Sequence, residues 1–139
     1  MSMDNSIGKY EIITLPSKND GRGSLTYIEA ERHCPFKIQR VYYLYEIVEN
    51  SERGFHAHKS LQQLIVPMSG QFSITLDTGY KRETIRLSQP NIGLLINGII
   101  WRELSNFTNN AVCLVLCSSY YDEEDYIRDY SAFLNAVQN

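Results

Sequence analysis

The sequence has few residues of the kinds that cross-link a chain or anchor it in a membrane. Its three cysteines, Cys34, Cys113 and Cys117, are odd in number and lack CxxC spacing, so we expect neither a disulfide framework nor a zinc site. Cys113 and Cys117 lie in an apolar run, which predicts buried free thiols. No apolar run is long enough to span a bilayer, and no basic start leads into one, so we expect a cytoplasmic protein with no membrane partner.

An excess of charge of one sign is also missing. Thirteen Lys and Arg against sixteen Asp and Glu give a net charge of −3, which offers no overall attraction to a phosphate backbone. We therefore expect no nucleic-acid partner. The hydrophobic fraction of 43% and the charged fraction of 21% are ordinary for globular proteins, and the length predicts a single domain over residues 1–139.

The sequence does contain a regular series of short β-type runs. Segments rich in Tyr, Ile, Val, Leu and Thr recur about every ten residues between Gly, Pro, Asn, Asp and Ser, which is typical of an all-β sandwich or barrel. Asp77-Thr78-Gly79 lies between two alternating runs and predicts a hairpin. The predicted strands are 10–15, 24–29, 40–45, 63–66, 71–77, 83–87, 93–96, 99–104 and 111–117.

The pattern changes after Tyr121. Acidic residues precede Tyr126, Tyr130, Phe133 and Leu134, which follow one another at helical spacing, and acidic side chains suit the N-terminus of a helix. We therefore predict one short C-terminal helix whose aromatic face packs on the barrel or on another subunit.

Ten tyrosines are many for this length, and Tyr42, Tyr43 and Tyr45 place rings on both faces of one strand. Such a strand needs cover on both faces. A barrel interior on one side and a subunit interface on the other would provide that cover, which favours a homodimer. Simple filling of the core explains the same rings.

The segment RGFHAHK, residues 53–59, carries the most chemical information. In an extended chain His56 and His58 point to the same face with their Cβ atoms roughly 7 Å apart, so two imidazoles would share one pocket. A lone histidine is usually a core or surface residue. A pair at i and i+2, drawn from only three histidines in the chain, favours a functional site.

An HxH pair on a barrel strand resembles the first motif of cupins, in which two histidines, a Glu and a distal His bind a divalent metal. Here Gln62 or Gln63 occupies the Glu position, and Arg102 stands where the second motif has its histidine. Arginine stays protonated and cannot ligate a metal. The resemblance therefore implies a cupin double-stranded β-helix (jelly-roll) barrel, without the metal.

Two histidines without a metal are suited to general acid and base catalysis near neutral pH, and a fixed cation such as Arg102 can stabilise charge on an oxygen. Proton abstraction next to a carbonyl needs this combination. Tyr42 or Tyr43 could supply a second proton carrier.

Arginine is the preferred partner of phosphate oxygens, because its planar fork donates two parallel hydrogen bonds. Four arginines border the histidine segment in a barrel and are interpreted as binding residues: Arg22, Arg40, Arg53 and Arg102. The others are interpreted as solvent-exposed: Arg32, Arg82, Arg86 and Arg128.

Longer segments are similar to the cupin-fold nucleotide-sugar 3,4-oxoisomerases (3,4-ketoisomerases), which act on TDP-4-oxo-6-deoxyglucose. The similarity covers nearly the whole chain and is carried by RGSL (22–25), RVYY (40–43), RGFHAHK (53–59) and SYYDEEDYIR (119–128). It implies an isomerase without metal or cofactor that moves the carbonyl from C4 to C3 through an enediol. The product would be a TDP-3-oxo-6-deoxyhexose for deoxyaminosugar synthesis.

The resemblance also implies roles for residues. His56, His58 and Tyr42 would be catalytic, and the substrate would be held by Arg22, Arg40, Tyr43, Arg53, Gln63 and Arg102. Family members are dimers that exchange N-terminal strands, which suits the two-faced tyrosine strand. The positions of Arg22 and Arg102 differ between members that make the gluco and the galacto product, so the configuration at C4 stays open.

Two alternatives are a cupin-type TDP-sugar epimerase, whose product would keep its carbonyl at C4, and a sugar-binding cupin without catalysis. For a binding protein, His58→Asn should leave affinity and function nearly unchanged.

Overall fold

The computed structural model describes residues 8–138, and β-strands dominate it. Within these residues twelve strands precede one α-helix, α1, which spans Tyr130–Gln138; a short 3-10 helix spans Glu123–Asp125. The strands are β1 Lys9–Thr14, β2 Ser17–Asn19, β3 Ser24–Thr26, β4 Arg40–Leu44, β5 Arg53–His58, β6 Gln63–Ser69, β7 Phe72–Asp77, β8 Arg82–Leu87, β9 Ile92–Asn97, β10 Trp101–Ser105, β11 Val112–Cys117 and β12 Tyr126–Ile127.

Two five-stranded antiparallel sheets form the body of the molecule. One has the order β1-β9-β6-β11-β4 and the other the order β12-β5-β10-β7-β8. Alternate residues of both sheets meet in the main hydrophobic core, among them Phe72, Ile74, Leu94, Ile96 and Val115. Because side chains alternate between the faces of a strand, each sheet also presents an outer face that needs cover.

Different segments cover the two outer faces. Cys34 and Phe36, on the loop before β4, pack on Leu64, Val66 and Leu116 of the first sheet. On the second sheet, Phe133 and Val137 of α1 pack in one cluster with strand residues. The strand residues are Ala57, Trp101 and Ile127. The molecule is therefore layered as loop, sheet, sheet and helix.

The predicted strands are largely confirmed, with small shifts at their ends. β7 and β8 form the predicted hairpin, since they pair from Phe72 opposite Leu87 to Asp77 opposite Arg82. The histidine segment is extended as β5. The predicted strands also lacked β5, whose extended form was only a condition of the argument on the histidines, and β2 and β12, which have only three and two residues.

The C-terminal helix exists and packs on the barrel, but its predicted start is wrong. α1 begins at Tyr130, where the Asp129 carboxylate accepts a hydrogen bond from the Ala132 amide at 2.9 Å. The acidic residues before it form a separate 3-10 turn capped by Asp122. Tyr126, predicted on the helix, lies on β12 because that strand pairs with β5.

The three cysteines are buried and free, as predicted. Among residues 8–138, none of the helical segments has both the length and the apolar character needed to cross a bilayer.

Candidate active site

β5 carries both histidines, and a β-bulge shifts its pairing with β10 just before them. Gly54 (φ 90°) and Phe55 (φ 59°) both adopt the left-handed region. Arg102 of β10 lies opposite His56, whereas the next residue, Glu103, lies opposite Gly54, so Phe55 is the extra residue. A bulge of this kind re-aims the side chains that follow it. Phe55 consequently faces solvent and His56 faces the interior.

A positive φ suits glycine but strains a bulky residue such as phenylalanine. At Gly54 a Cβ would lie 2.9 Å from the Arg102 carbonyl oxygen and 3.2 Å from Leu104 Cδ1. The bulge therefore requires glycine at 54 and stores strain at 55, next to the histidines.

His56 and His58 lie on the same face of β5, as their spacing predicts. Their ring centroids are 4.9 Å apart with the rings edge to face. Ala57, between them, points to the opposite face and is buried in the cluster under α1. The two imidazoles therefore share the interior side of the second sheet.

A cavity of about 420 Å³ opens beside His56. Residues from both sheets surround it, so its polar groups converge from opposite walls. Its polar and aromatic lining comes mainly from Arg40, Tyr42, Arg53, His56, Gln63, Arg102, Tyr126 and Arg128.

Arg102 lies at the wall of this cavity with only 2% of its surface exposed. Its Nη1 donates a hydrogen bond to Gln63 Oε1 at 2.5 Å, and its Nε donates one to the Ile100 carbonyl at 3.1 Å. Burial lowers the Arg102 pKa to about 10, which leaves the guanidinium charged at neutral pH. A positive charge is thus fixed beside the histidines.

Four buried side-chain nitrogens in residues 8–138 have no hydrogen-bond partner, and all belong to this region: Arg40 Nε, His56 Nδ1, His58 Nε2 and Arg102 Nη2. Buried polar groups are nearly always paired, so each exception needs an explanation. Their gathering in one place indicates that a polar ligand or water completes the site.

The electrostatics keep both histidines neutral. Burial, followed by the Arg102 charge, lowers the pKa of His56 to about 4. The same two causes lower the pKa of His58 to about 2, although the Asp125 carboxylate beside it favours the charged ring. At neutral pH each ring therefore offers one unprotonated nitrogen that can accept a proton.

Tyr42 projects from β4 towards Arg102. Its hydroxyl accepts a hydrogen bond from Gln63 Nε2 at 3.3 Å, and the Arg40 guanidinium lies 5.4 Å from its ring centroid. Burial raises the pKa of Tyr42 to about 12. The phenol therefore keeps its proton at neutral pH and is suited to donate a hydrogen bond, not to act as a base.

His58 occupies a different position from His56. It lines a small cavity of about 70 Å³ together with Ser60, Ser119, Asp122 and Asp125, and it does not border the larger cavity. Its Nδ1 lies 3.1 Å from Asp125 Oδ2. The structure thus separates a histidine that faces the large cavity from one held behind it by a carboxylate.

Two predicted binding residues lie away from the cavity in this chain. Tyr43 points to the outer face of β4, because Tyr42 takes the inner face and side chains alternate; it is 58% exposed. Arg22 lies in the turn between β2 and β3, where it pairs with Asp20 at 2.9 Å and remains largely exposed. Neither side chain lines the cavity of its own chain, and their role in substrate binding stays a prediction.

Three residues near the histidines were missed by sequence reasoning. Tyr126 of β12 lies opposite His58 of β5, and the centroids of the two rings are 4.3 Å apart. Arg128, interpreted as a surface residue, lines the cavity, stacks on Tyr126 and donates a hydrogen bond from Nε to Glu123 at 2.7 Å. Asp125 was not singled out. The alternation of Tyr126 and Ile127 is typical of a strand, but a pattern of two residues is too short to predict one.

The residues present do not fit a divalent metal. Among the described residues, His, Cys, Asp and Glu side chains nowhere gather in groups of three that could hold one. The cupin ligand positions are filled by Gln63, whose amide oxygen already accepts a hydrogen bond from Arg102, and by Arg102 itself, whose positive charge repels a metal cation.

Two facing antiparallel sheets that enclose a hydrophobic core and a polar cavity define a cupin-type barrel, as the sequence predicts. The family model described as FdtA: WxcM-like, C-terminal matches residues 8–138, and the chain belongs to that family. A curated relative, the TDP-4-oxo-6-deoxy-alpha-D-glucose-3,4-oxoisomerase of Aneurinibacillus thermoaerophilus, is 42% identical over 123 residues, which are 88% of each protein.

Solved structures agree with this assignment. A 3,4-ketoisomerase from Helicobacter canadensis has 45% identity and a TM-score of 0.90, and the match covers 94% of this chain and 98% of that one. QdtA, a sugar 3,4-ketoisomerase from Thermoanaerobacterium thermosaccharolyticum solved in complex with TDP, has 38% identity and a TM-score of 0.91, with 93% and 94% covered. A His-to-Asn mutant of QdtA was solved with TDP-4-keto-6-deoxyglucose.

Proposed function

We propose that this chain is an isomerase that moves the carbonyl of TDP-4-oxo-6-deoxy-D-glucose from C4 to C3, giving a TDP-3-oxo-6-deoxyhexose for deoxyaminosugar synthesis. The observation that carries the proposal is a pair of neutral imidazoles, 4.9 Å apart, beside a fully buried guanidinium at a cavity. The substrate named for the relatives supports the choice of sugar.

The reaction is an internal redox exchange and needs no external oxidant. A base removes the proton from C3, and the electron pair of that C–H bond forms the C3–C4 double bond of an enediol. The O4 oxygen takes up a proton, O3 gives one up, and C4 is protonated as the C3 carbonyl forms. C3 is oxidised and C4 reduced, so atoms and electrons balance.

The residues divide these tasks by position. His56 faces the large cavity in its neutral form and is the proposed base. Arg102 Nη2, which lacks a partner among residues 8–138, is proposed to stabilise negative charge on the enediol oxygens. Tyr42 keeps its proton and is proposed to donate a hydrogen bond to a sugar oxygen.

The cavity mouth supports a diphosphate site. Arg40, Arg53 and Arg128 border it, and guanidinium groups bind phosphate oxygens by paired hydrogen bonds. We assign the diphosphate to these three arginines. Of the residues predicted for this task, Arg53 and Arg40 are retained, and Arg128 is added.

We also propose that the molecule is a homodimer that exchanges N-terminal segments. β4 ends its sheet, and its outer face exposes Val41, Tyr43 and Tyr45. β1 pairs with β9 of its own chain, whereas the β2–β3 hairpin forms a separate two-stranded sheet with exposed sides. The hairpin of a second copy, laid along the β4 edge, would cover the tyrosines and carry its Arg22 towards the cavity mouth.

The location of the new carbonyl tests the proposed reaction. Purified protein is incubated with TDP-4-oxo-6-deoxyglucose without added metal or nicotinamide, and the product is examined by ¹³C NMR. We expect the carbonyl at C3. A product with inverted configuration at one or more carbons and the carbonyl still at C4 would identify an epimerase. Unchanged sugar bound by folded protein would identify a binding protein. Both results would contradict the proposal.

The proposal takes residues 1–139 as one cupin domain acting in the cytoplasm. Fractionation of cells that contain the protein tests the location.

A further inference from the structure

Asp125 is the carboxylate nearest to His58, and no step described so far uses it. Its Oδ2 lies 3.1 Å from His58 Nδ1. Its other oxygen, Oδ1, accepts hydrogen bonds from the Ser60 amide and the Ser60 hydroxyl, both at 2.9 Å. Both carboxylate oxygens are therefore occupied, one by the ring and one by the chain just after β5.

The surroundings of His58 determine which nitrogen carries its proton. The ring is 1% exposed, and its lowered pKa makes it neutral, so it holds a single proton. A carboxylate can only accept, so the proton of the neutral ring belongs on Nδ1, which faces Asp125. Nε2 then carries the lone pair, and it is one of the four buried nitrogens without a partner.

We propose that Asp125 is a positioning residue that fixes His58 as the Nδ1–H tautomer, with Nε2 as an acceptor inside the barrel. The inference rests on the proposed function, because only a reaction that moves protons needs a defined acceptor at this point. It adds a role for Asp125 that is distinct from those of the cavity residues.

Asparagine at position 125 provides a sharp test, because the surrounding bonds dictate its orientation. The Ser60 amide is a fixed donor, so the oxygen of an asparagine side chain must face it. The NH₂ group then faces His58 Nδ1 and can only donate. The ring is consequently forced to place its own proton on Nε2, the opposite tautomer, with little change in shape.

The matched control is Asp122→Asn. Asp122 is three residues earlier, its carboxylate accepts a hydrogen bond from the Glu124 amide at 3.0 Å, and it makes no hydrogen bond to His58. Asparagine caps a helical turn about as well as aspartate. The control therefore makes the same chemical change in the same small cavity without altering a hydrogen bond of the ring.

The experiment measures the tautomer directly by ¹⁵N NMR of the histidine rings, together with kcat and KM. We expect Nδ1–H at His58 in the wild type and in Asp122→Asn, and Nε2–H in Asp125→Asn. We expect Asp125→Asn to lower kcat roughly 100-fold or more with KM little changed. Thermal unfolding checks that each variant is folded.

An Nε2–H or charged His58 ring in the wild type would overturn the proposal, and this measurement needs no variant. It would equally be overturned if Asp125→Asn kept the wild-type tautomer, or inverted it without loss of kcat. The tautomer is read without substrate, so a wild-type protein with the expected ring and no isomerase activity would refute the proposed function alone.

Discussion

At the scale of single residues, charge surrounds the two histidines unevenly. The charges of Arg102 and Arg128 lower the pKa of both rings, and those of His56 and Arg40 lower the pKa of His58 further. Glu123 acts in the opposite direction on His56, and Asp125 lies against His58. The net effect of burial and charge keeps both rings in the form that accepts protons.

This arrangement predicts an unusual pH dependence. The base form of a histidine is lost as pH falls through its pKa, and for His56 that pKa is lowered from 6.5 to about 4. We therefore expect kcat/KM to stay level from pH 8 down to pH 6 and to fall only at lower pH. A profile of initial rates, checked for folding at each pH, measures this.

Removing one of the nearby charges should move the profile in a known direction. Arg128→Gln takes away a positive charge that lowers both histidine pKa values, so the acid limb should shift to higher pH. Arg32→Gln, at an exposed arginine paired only with Glu29, is the control and should leave the limb in place. An acid limb at pH 6.5 in the wild type would contradict the account.

The sequence could predict some of these residues and not others, for physical reasons. The i, i+2 spacing placed His56 and His58 on one face, and motif similarity placed Arg102 and Gln63 beside them. The strand pattern could not show whether Tyr42 or Tyr43 faces the interior, because alternation requires one of them to face outwards without saying which. Asp125, Tyr126 and Arg128 depend on the pairing of a two-residue strand with a partner far away in the chain.

At the scale of elements, the bulge in β5 is the local feature that aims His56 inwards. Gly54→Ala adds a Cβ that meets the backbone of Arg102, at a φ that disfavours alanine. We expect a loss of about 2 kcal/mol or more of unfolding free energy and a loss of turnover, because His56 and Arg102 would both shift. Urea unfolding and initial rates measure the two effects.

Gly23→Ala is the control for unfolding free energy, since a Cβ there has no neighbour within 4 Å among residues 8–138. It should change unfolding free energy by less than about 0.5 kcal/mol. If Gly54→Ala were as stable as this control and as active as the wild type, the bulge would not be what positions the histidine.

Elements differed in how well their patterns revealed them. The alternating runs of β7 and β8 and the Asp77-Thr78-Gly79 turn were sufficient for a hairpin. The acidic segment before α1 was misassigned because acids suit any helical N-terminus, and two caps are present there: Asp122 for the 3-10 turn and Asp129 for α1. Between the two turns, Ile127 lies in the buried cluster with Ala57 and Phe133, and that tertiary contact could not be read from the local pattern.

At the scale of the whole molecule, the proposed exchange of hairpins predicts sites shared between subunits. If Arg22 acts at the partner's cavity, Arg22→Ala and His56→Asn subunits should complement each other when mixed. A heterodimer then has one site with both residues intact, so equal mixing should restore about a quarter of wild-type activity. The measurement is turnover after the two inactive proteins are unfolded and refolded together.

No recovery of activity, with each subunit folded and Arg22→Ala inactive alone, would show that Arg22 serves its own chain or none.

Tyr43→Glu provides a separate check, because it puts a charge on the exposed face of β4. We expect it to yield monomers by light scattering; dimers unchanged in stability would place the interface elsewhere.

The central claim is that a neutral histidine in a cupin barrel moves protons between C3 and C4 of the sugar. Its most direct test is incubation with TDP-4-oxo-6-deoxyglucose in D₂O, with the position of deuterium read by NMR. Wild-type protein and the control His33→Asn should yield a 3-oxo sugar with deuterium at C4, and His56→Asn should slow this at least about 100-fold while still binding TDP. A 3-oxo product formed as fast by His56→Asn as by the wild type would contradict the account.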